Sequence, residues 1–233
     1  MKIKRLQKTT LIDYPGEIAC TIFLFGCNFR CGFCHNPELV LKDEGLNISE
    51  KEILDFLDKR KDYLDGICIT GGEPLMTLEK NFLKEIKNLG YKIKIDTNGS
   101  FPDKLKDFVD ENLINFISMD IKSGKEKYKE ITNSDIDVNI IEKSIKIIAE
   151  SKIDYEFRTT IVEEFHDKKE IITLAEWLND LIKEKPKKYV LQGFKNHGKF
   201  IDSSFRMKDN IPEKYLNELK NEIKDYFQEI ESR

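Results

Sequence analysis

No stretch of the sequence has the length and apolar character of a membrane span. The longest apolar run, residues 18–25, is far shorter than the roughly 20 residues that a spanning helix needs. The first sixteen residues, MKIKRLQKTTLIDYPG, lack the apolar core of a signal peptide. We therefore expect a cytoplasmic protein with no membrane partner.

The chain also lacks an excess of basic residues. It has 39 Lys and Arg against 43 Asp and Glu, so its net charge is −4. Binding to nucleic acid usually requires a clustered basic face. The short Lys-rich stretch at residues 183–188 is typical of a solvated helix end instead. We expect no nucleic-acid partner.

The cysteines do not suit a disulfide framework. There are five, an odd number, and three of them lie within eight residues at Cys27, Cys31 and Cys34. This crowding favours metal ligation or catalysis in a reducing compartment. Cys20 and Cys68 lie inside apolar runs and are expected to be buried thiols.

No internal repeat, low-complexity segment or linker divides the chain. We expect one domain over residues 1–233, with a core barrel at about 16–192 and a lid or docking loop plus a C-terminal helix at 193–233. Strands are predicted at residues 18–25, 65–70, 91–96, 115–121, 155–162 and 188–192. Helical patterns alternate with them, including a capping box at Ser49 and a last helix whose apolar stripe reaches Phe227. Six such units predict an α/β fold with parallel strands, as an open doubly wound sheet or a partial barrel.

The three crowded cysteines form a C-x3-C-x2-C motif in the loop after the first predicted strand. Three thiolates can hold a 4Fe–4S cluster and leave one iron open to a substrate. Zinc is the alternative, with His35 as a fourth ligand. Two points weigh against zinc: no second pair of ligands exists, and simultaneous ligation by Cys34 and the adjacent His35 is strained.

Polar residues follow the other predicted strands, and function in parallel α/β folds lies at the carboxyl ends of strands. The candidate residues are Gly71, Gly72 and Glu73 after the second strand, Asp96, Thr97 and Asn98 after the third, Ser118, Asp120 and Lys122 at the fourth, Arg158 in the fifth and Gln192 in the sixth. Arg158 needs an anionic partner, either a ligand or a carboxylate such as Asp120. His166 precedes a helix and is expected to be a solvated loop residue.

With Phe33 as the aromatic residue, the cysteine motif reads C-x3-C-x-aromatic-C and resembles that of radical S-adenosylmethionine enzymes. The resemblance implies a partial (βα)6 barrel and a 4Fe–4S cluster on Cys27, Cys31 and Cys34. It also implies that the reduced cluster splits S-adenosylmethionine and releases a 5′-deoxyadenosyl radical. Gly71-Gly72-Glu73 resembles the family's GGE motif, which holds the amino group of the cofactor.

Two further segments resemble the branch of this family that activates glycyl-radical enzymes. They are Asp96-Thr97-Asn98-Gly99 and Asp120-Ile121-Lys122. The resemblance implies a monovalent cation bound by Asp96, Thr97, the Ser118 carbonyl and Asp120, with Lys122 neutralising the cofactor's carboxylate. We also expect cofactor contacts from Phe33, Asn98, Arg158 and Gln192.

TTLIDYPG at residues 9–16 and CHNPE at residues 34–38 resemble most closely the activating proteins of anaerobic ribonucleoside-triphosphate reductase. The resemblance implies an oxidoreductase that removes a hydrogen atom from a glycine of a partner enzyme. No side chain need then act as acid, base or nucleophile. A cysteine-rich insert for a second cluster is absent, so an external electron donor such as ferredoxin or flavodoxin is expected. The alternatives are a radical enzyme for a small molecule and a non-catalytic zinc or redox module.

Overall fold

Eight strands form one sheet in the computed structural model, which describes residues 1–233. The strands are β1 Ile3–Thr10, β2 Ala19–Leu24, β3 Gly66–Gly71, β4 Lys92–Thr97, β5 Phe116–Asp120, β6 Asp154–Ile161, β7 Lys188–Gly193 and β8 Glu229–Ser232. They lie side by side in chain order, and only the β1–β2 pair is antiparallel. The six predicted strands correspond to β2–β7, which run parallel because a helical segment follows each one.

Seven α-helices accompany the sheet. They are α1 Glu50–Asp58, α2 Lys80–Asn88, α3 Pro102–Asp110, α4 Tyr128–Thr132, α5 Val138–Glu150, α6 Lys168–Leu181 and α7 Glu213–Ile223. The predicted capping box starts α1, where Ser49 accepts from the Glu52 N–H and Glu52 accepts from the Ser49 N–H. None of these helices combines the length and apolar character that crossing a bilayer requires.

The two faces of the sheet differ because side chains alternate along each strand. On the helix-covered face, Ile93 and Ile95 of β4 are fully buried. The opposite face is concave. One cavity is lined by both Gly71 of β3 and Gln192 of β7, although a flat sheet would place these two strands about 19 Å apart. The prediction of a partial barrel of six βα units is confirmed.

The sheet extends past the expected core of residues 16–192 at both edges. β1 was not predicted, because its sequence IKRLQKTT is mostly exposed and has little apolar alternation. At the other edge, α7 ends at Ile223 rather than reaching Phe227, so the predicted end of the last helix was wrong. Phe227 stacks on Tyr189 with ring centroids 4.4 Å apart, and the chain then pairs with β7 as β8.

Candidate functional site

A cavity of about 310 Å³ lies at the carboxyl ends of the parallel strands β2–β7. Sites for small molecules in proteins usually begin at about this size. Among the residues predicted for the site, those that line the cavity are Cys27, Cys31, Phe33, Cys34, Gly71, Gly72, Asp96, Thr97, Asn98, Asp120, Lys122, Arg158 and Gln192. Two predicted residues, Glu73 and Ser118, do not line it. Each of the six strands, or the loop directly after it, contributes at least one lining residue to the cavity.

The loop that carries the three cysteines is held by hydrogen bonds within the loop and by one to the end of α4. The Arg30 guanidinium donates to the carbonyl oxygens of Cys27 (2.6 Å) and Phe29 (2.8 Å). The Arg30 backbone N–H donates to the Thr132 carbonyl at the end of α4 (2.8 Å). Sequence reasoning missed this role of Arg30, although its charge in the middle of the cysteine motif was the available signal.

All five cysteines are free thiols, and Cys20 and Cys68 are fully buried as expected. Burial raises the pKa of Cys27 to about 12 and that of Cys31 to about 11. Both thiols are therefore protonated at neutral pH and must lose their protons to bind a metal.

A cluster and a single metal ion require different spacings of the thiols that bind them. A zinc ion with Zn–S bonds of about 2.3 Å holds its sulfurs about 3.8 Å apart. No three His, Cys, Asp or Glu side chains of the chain are grouped closely enough to bind one ion. In a 4Fe–4S cluster each thiolate binds a different iron, so the thiols stand farther apart around the cluster. The three free thiols that line this cavity are the residues that could hold a cluster.

The segment of residues 193–210, expected to be a lid or docking loop, packs on the cysteine loop. The Phe205 ring lies 6.1 Å from that of Phe33 and 6.3 Å from that of Phe200. The Asp202 N–H donates to the Gly32 carbonyl (3.0 Å). A Cβ at Gly32 would lie 2.8 Å from the Phe205 ring, so the two segments are in close contact.

The end of β3 lies equally close to the cysteine loop. A Cβ at Gly72 would lie 2.0 Å from the Gly26 carbonyl oxygen, and one at Gly71 would lie 2.2 Å from the Leu24 carbonyl oxygen. Gly71 also has a φ of +129°, which side chains rarely allow. The two glycines thus present bare backbone to the cavity directly beside Cys27.

Glu73 takes a different role from the one its motif implies. Its carboxylate is fully buried and accepts hydrogen bonds from the Leu75 N–H (2.9 Å), the Asn98 N–H (2.6 Å) and the Thr97 hydroxyl (2.8 Å). Burial raises the pKa of Glu73 to about 7, while the three donors favour the ionised form. The carboxylate therefore joins the loops after β3 and β4 and does not face the cavity.

A network of five charged side chains lies on the concave face beside the cysteines. Asp120 and Arg158 are paired in the register of β5 and β6, and their side chains form an ion pair. Arg158 also contacts Asp96 (3.3 Å), Lys122 contacts Asp120 (3.0 Å), and Lys94 contacts Asp96. Burial alone would raise the pKa of both carboxyl groups. Arg158 opposes this, together with Lys122 at Asp120 and Lys94 at Asp96, and holds both pKa values below their usual range.

Lys94 was not among the predicted residues, although the period of two places it on the same face as Asp96. Ser118 lies deeper on this face, where it is fully buried and donates to Glu156 (2.9 Å).

The expectation that His166 is solvated was wrong. The side chain is fully buried, its Nδ1 accepts from the Val162 N–H (3.0 Å), and its Nε2 lies 2.8 Å from the Lys122 carbonyl oxygen. With Nδ1 as acceptor, Nε2 carries the proton and donates. Burial lowers the pKa of His166, which keeps the ring neutral. The turn after β6 places the His166 ring against Lys122, directly after β5. The local sequence around His166 does not reveal this contact with a distant part of the chain.

A polar cluster that sequence reasoning missed surrounds Asn98. The Asn98 side-chain amide donates to Asn28 (3.0 Å) and lies 3.8 Å from the Cys27 sulfur. The Ser100 hydroxyl donates to Asn98 (2.5 Å). These contacts orient the Asn98 amide toward the cysteine loop.

Residues 21–178 match the family described as the radical SAM superfamily. A Methanocaldococcus jannaschii protein, named as a candidate glycyl-radical enzyme activating enzyme, is 32% identical over 229 residues, 94% of this chain and 90% of its own. The pyruvate formate-lyase-activating enzyme of Staphylococcus aureus is 28% identical over 185 residues, 73% of this chain and 72% of its own.

Solved structures share the fold. Streptococcus suis SuiB bound to S-adenosylmethionine superposes with a TM-score of 0.70 at 17% identity, over 91% of this chain and 48% of SuiB. TYW1 with a lysine–pyruvate adduct superposes with a TM-score of 0.63 at 15% identity, over 90% of this chain and 73% of TYW1. This chain therefore spans about half the length of SuiB.

Proposed function

The chain belongs to the radical SAM superfamily, and we propose that it is the activating enzyme of a glycyl-radical protein. As a member of that superfamily it is an oxidoreductase that uses a 4Fe–4S cluster and S-adenosylmethionine. The similarity to the Methanocaldococcus jannaschii protein, which extends over 94% of the chain, carries the proposal of the glycyl-radical target.

Cys27, Cys31 and Cys34 would hold the cluster, because they are the three thiols of the cavity. When bound, the cluster and S-adenosylmethionine supply an adenosyl radical that can remove a hydrogen atom from a substrate. The protein supplies binding and orientation for this chemistry.

The charged network would orient the cofactor's amino-acid end. Lys122 and Arg158 are cations at the cavity wall, and each suits the carboxylate of S-adenosylmethionine. Asp96 and Asp120 fix the positions of these cations. The backbone carbonyls beside Gly71 and Gly72 would accept from the cofactor's amino group, because the Glu73 carboxylate is directed elsewhere.

We propose anaerobic ribonucleoside-triphosphate reductase as the protein substrate, on the resemblance of residues 9–16 and 34–38. Within the first segment, Leu11 and Ile12 are 72% and 82% exposed. Exposed apolar side chains are suited to contact with another protein, and Ile12 lines a second cavity that shares Asp96 with the first. No acid or base of this chain is needed, since the substrate loses a hydrogen atom and not a proton.

The reducing electron would come from a separate protein such as ferredoxin or flavodoxin. Cys20 and Cys68 are buried within β2 and β3, so the chain has no cysteines for a second cluster. Arg5, Lys199 and Arg206 are exposed, form no salt bridge and surround a concavity beside residues 37–39, directly after the cysteine loop. Glu38 is the one unpaired carboxylate of the same lining, so this cationic surface keeps a net positive charge and suits an acidic donor.

Electron paramagnetic resonance tests the proposed function. The reconstituted, reduced chain is mixed with S-adenosylmethionine and the candidate reductase under anaerobic conditions, and we expect a glycine-centred radical signal. Cofactor cleavage without that signal would indicate a small-molecule substrate. Failure to assemble an iron–sulfur cluster would contradict the cofactor assignment itself.

A further inference from the structure

We propose that Lys94 supplies, from within the chain, the positive charge that a monovalent metal cation was expected to provide beside the cofactor. The inference rests, like the proposed function, on S-adenosylmethionine binding in the cavity at the strand ends. It makes the cofactor site of this chain independent of sodium and potassium ions.

The expected cation ligands are already engaged by other groups of the chain. The Thr97 hydroxyl donates to Glu73 (2.8 Å) and accepts from the Gly99 N–H (3.0 Å). Ser118 does not line the cavity. The other two ligands, Asp96 and Asp120, are both already paired with cationic side chains. A monovalent cation therefore does not fit the residues present.

Lys94 lies where that cation would neutralise a carboxylate. Its ammonium group contacts Asp96, and its side chain is only 3% exposed. The other close polar group is the Cys68 sulfur at 3.7 Å, and burial raises the pKa of that thiol, so it stays neutral. Asp96 is thus the one anionic partner of the buried Lys94 ammonium group. Without Asp96, the charge of Lys94 would be buried and unpaired.

The net charge of this network also favours the cofactor's carboxylate over a metal cation. Lys94, Lys122 and Arg158 face Asp96 and Asp120, so the network carries one positive charge in excess. The carboxylate of S-adenosylmethionine would neutralise that excess, whereas a metal cation would increase it.

Asp13 and Lys195 line a neighbouring cavity together with Lys94, and they carry one charge of each sign, so they leave this balance unchanged. Glu156, the next inward-facing residue on β6, is paired with Arg233 (3.0 Å).

A small ion could nevertheless reach this position if the ammonium group were removed. A second cavity of about 540 Å³ shares Asp96, Arg158 and Gln192 with the first and extends to Lys94. Replacing Lys94 by Met would keep an unbranched side chain, one atom shorter, and remove its charge. Asp96 would keep only Arg158, which it shares with Asp120, and would then bind a cation from solution.

The experiment compares sodium, potassium and choline chloride at equal ionic strength. The thermal unfolding of the full chain and the S-adenosylmethionine affinity of the reconstituted enzyme are both measured. Wild type should give the same values in all three salts. For Lys94→Met, sodium or potassium should raise Tm by roughly 3–6 °C over choline, as expected for an ion at about ten times its dissociation constant.

The cofactor affinity of Lys94→Met should be roughly tenfold weaker in choline and partly restored by the metal ions. A merely structural role of Lys94 would give a loss that no ion restores.

Two variants serve as controls. Lys92→Met removes an exposed lysine two residues earlier on β4, where it pairs with Glu17, and should stay insensitive to the cation. Lys94→Arg keeps the charge and should also be insensitive.

Cation-dependent Tm or affinity in the wild type would overturn the proposal, and so would a folded Lys94→Met variant with unchanged affinity and no cation response. If Lys94→Met does not fold, the wild-type and Lys94→Arg measurements still decide. Neither readout involves a protein substrate, so a failure of glycyl-radical transfer is a separate result.

Discussion

Cys31 is the most deeply buried of the three thiols that line the cavity, with 7% of its surface exposed. Replacing it by Ala should abolish cluster binding and cofactor cleavage, because two thiolates cannot hold the cluster. The fold should persist, since the change removes a single atom. Iron and sulfide content after anaerobic reconstitution and a circular dichroism spectrum measure the two effects.

The matched control for that experiment is Cys20→Ala. Cys20 is a fully buried cysteine of β2 that does not line the cavity. This variant should keep a full cluster. Wild-type iron content in Cys31→Ala would refute the ligand assignment.

Asp120 is the carboxylate shared by Arg158 and Lys122. Asp120→Asn removes the charge that positions both cations, so S-adenosylmethionine affinity should fall about tenfold or more. Iron content should not change, because Asp120 is not a thiol ligand. Equilibrium binding to the reconstituted enzyme tests this, with Asp103→Asn at an exposed surface ion pair as the control. An unchanged affinity would exclude a role for this pair in cofactor binding.

At the scale of elements, β3 and the cysteine loop can lie in close contact because Gly72 has no side chain. Gly72→Ala would place a methyl group 2.0 Å from the Gly26 carbonyl oxygen, a distance that requires the backbone to move. We expect displacement of the cysteine loop, a lower Tm and little cluster after reconstitution. Gly45→Ala is the control: its φ of +80° adds local backbone strain, but nothing lies within 4 Å of its added Cβ, so the cluster should remain full. A full cluster in Gly72→Ala would show that the loop tolerates the shift.

His166 joins the turn after β6 to the carboxyl end of β5. Burial lowers its pKa, so the unfolded chain takes up a proton more readily than the folded one. The stability that the neutral ring provides is complete above an unfolded pKa of about 6.5 and is lost as the pH falls below it. Tm should therefore fall from pH 7.5 to about 5.5 more steeply in wild type than in His166→Gln.

The Gln side chain of that variant can donate and accept in place of the ring but cannot titrate in this range. Equal slopes of Tm against pH in the two proteins would contradict the buried, neutral assignment of His166.

Elements with strong local patterns were predicted from the sequence, and elements fixed by distant contacts were not. The apolar strand of residues 18–25 and the capping box at Ser49 carry their own signals. β1 does not, because pairing with β2 defines it. The motif predicted that Glu73 lies near the site, but the direction of its carboxylate depends on Asn98, 25 residues later.

The burial of Lys94 also depends on distant contacts and was not predicted from the sequence. Alternation places it on one face with Asp96, but only the curvature of the whole sheet buries that face. A lysine in a strand is otherwise typical of an exposed position.

At the scale of the whole molecule, the net charge of −4 coexists with the cationic surface around Arg5, Lys199 and Arg206. Lys199→Glu combined with Arg206→Glu should slow cluster reduction by an acidic donor protein by roughly tenfold at low salt. The rate with the small reductant dithionite should stay the same. Stopped-flow absorbance of the cluster measures both rates, with Lys146→Glu on α5 as a control outside this surface.

An unchanged rate with the donor protein, at low and at high salt, would place the docking surface elsewhere. A loss with both reductants would indicate damage to the cluster rather than to docking.

The order of strands along the sheet has a consequence for biosynthesis. Each strand pairs with its predecessor, so the sheet can form as the chain leaves the ribosome. The cysteine loop is made early, yet the phenylalanines that cover it, Phe200 and Phe205, follow about 170 residues later. At 5–20 residues per second this leaves an interval of roughly 10–30 s. During that interval the nascent thiols are open to cluster-delivery factors and equally open to oxidants.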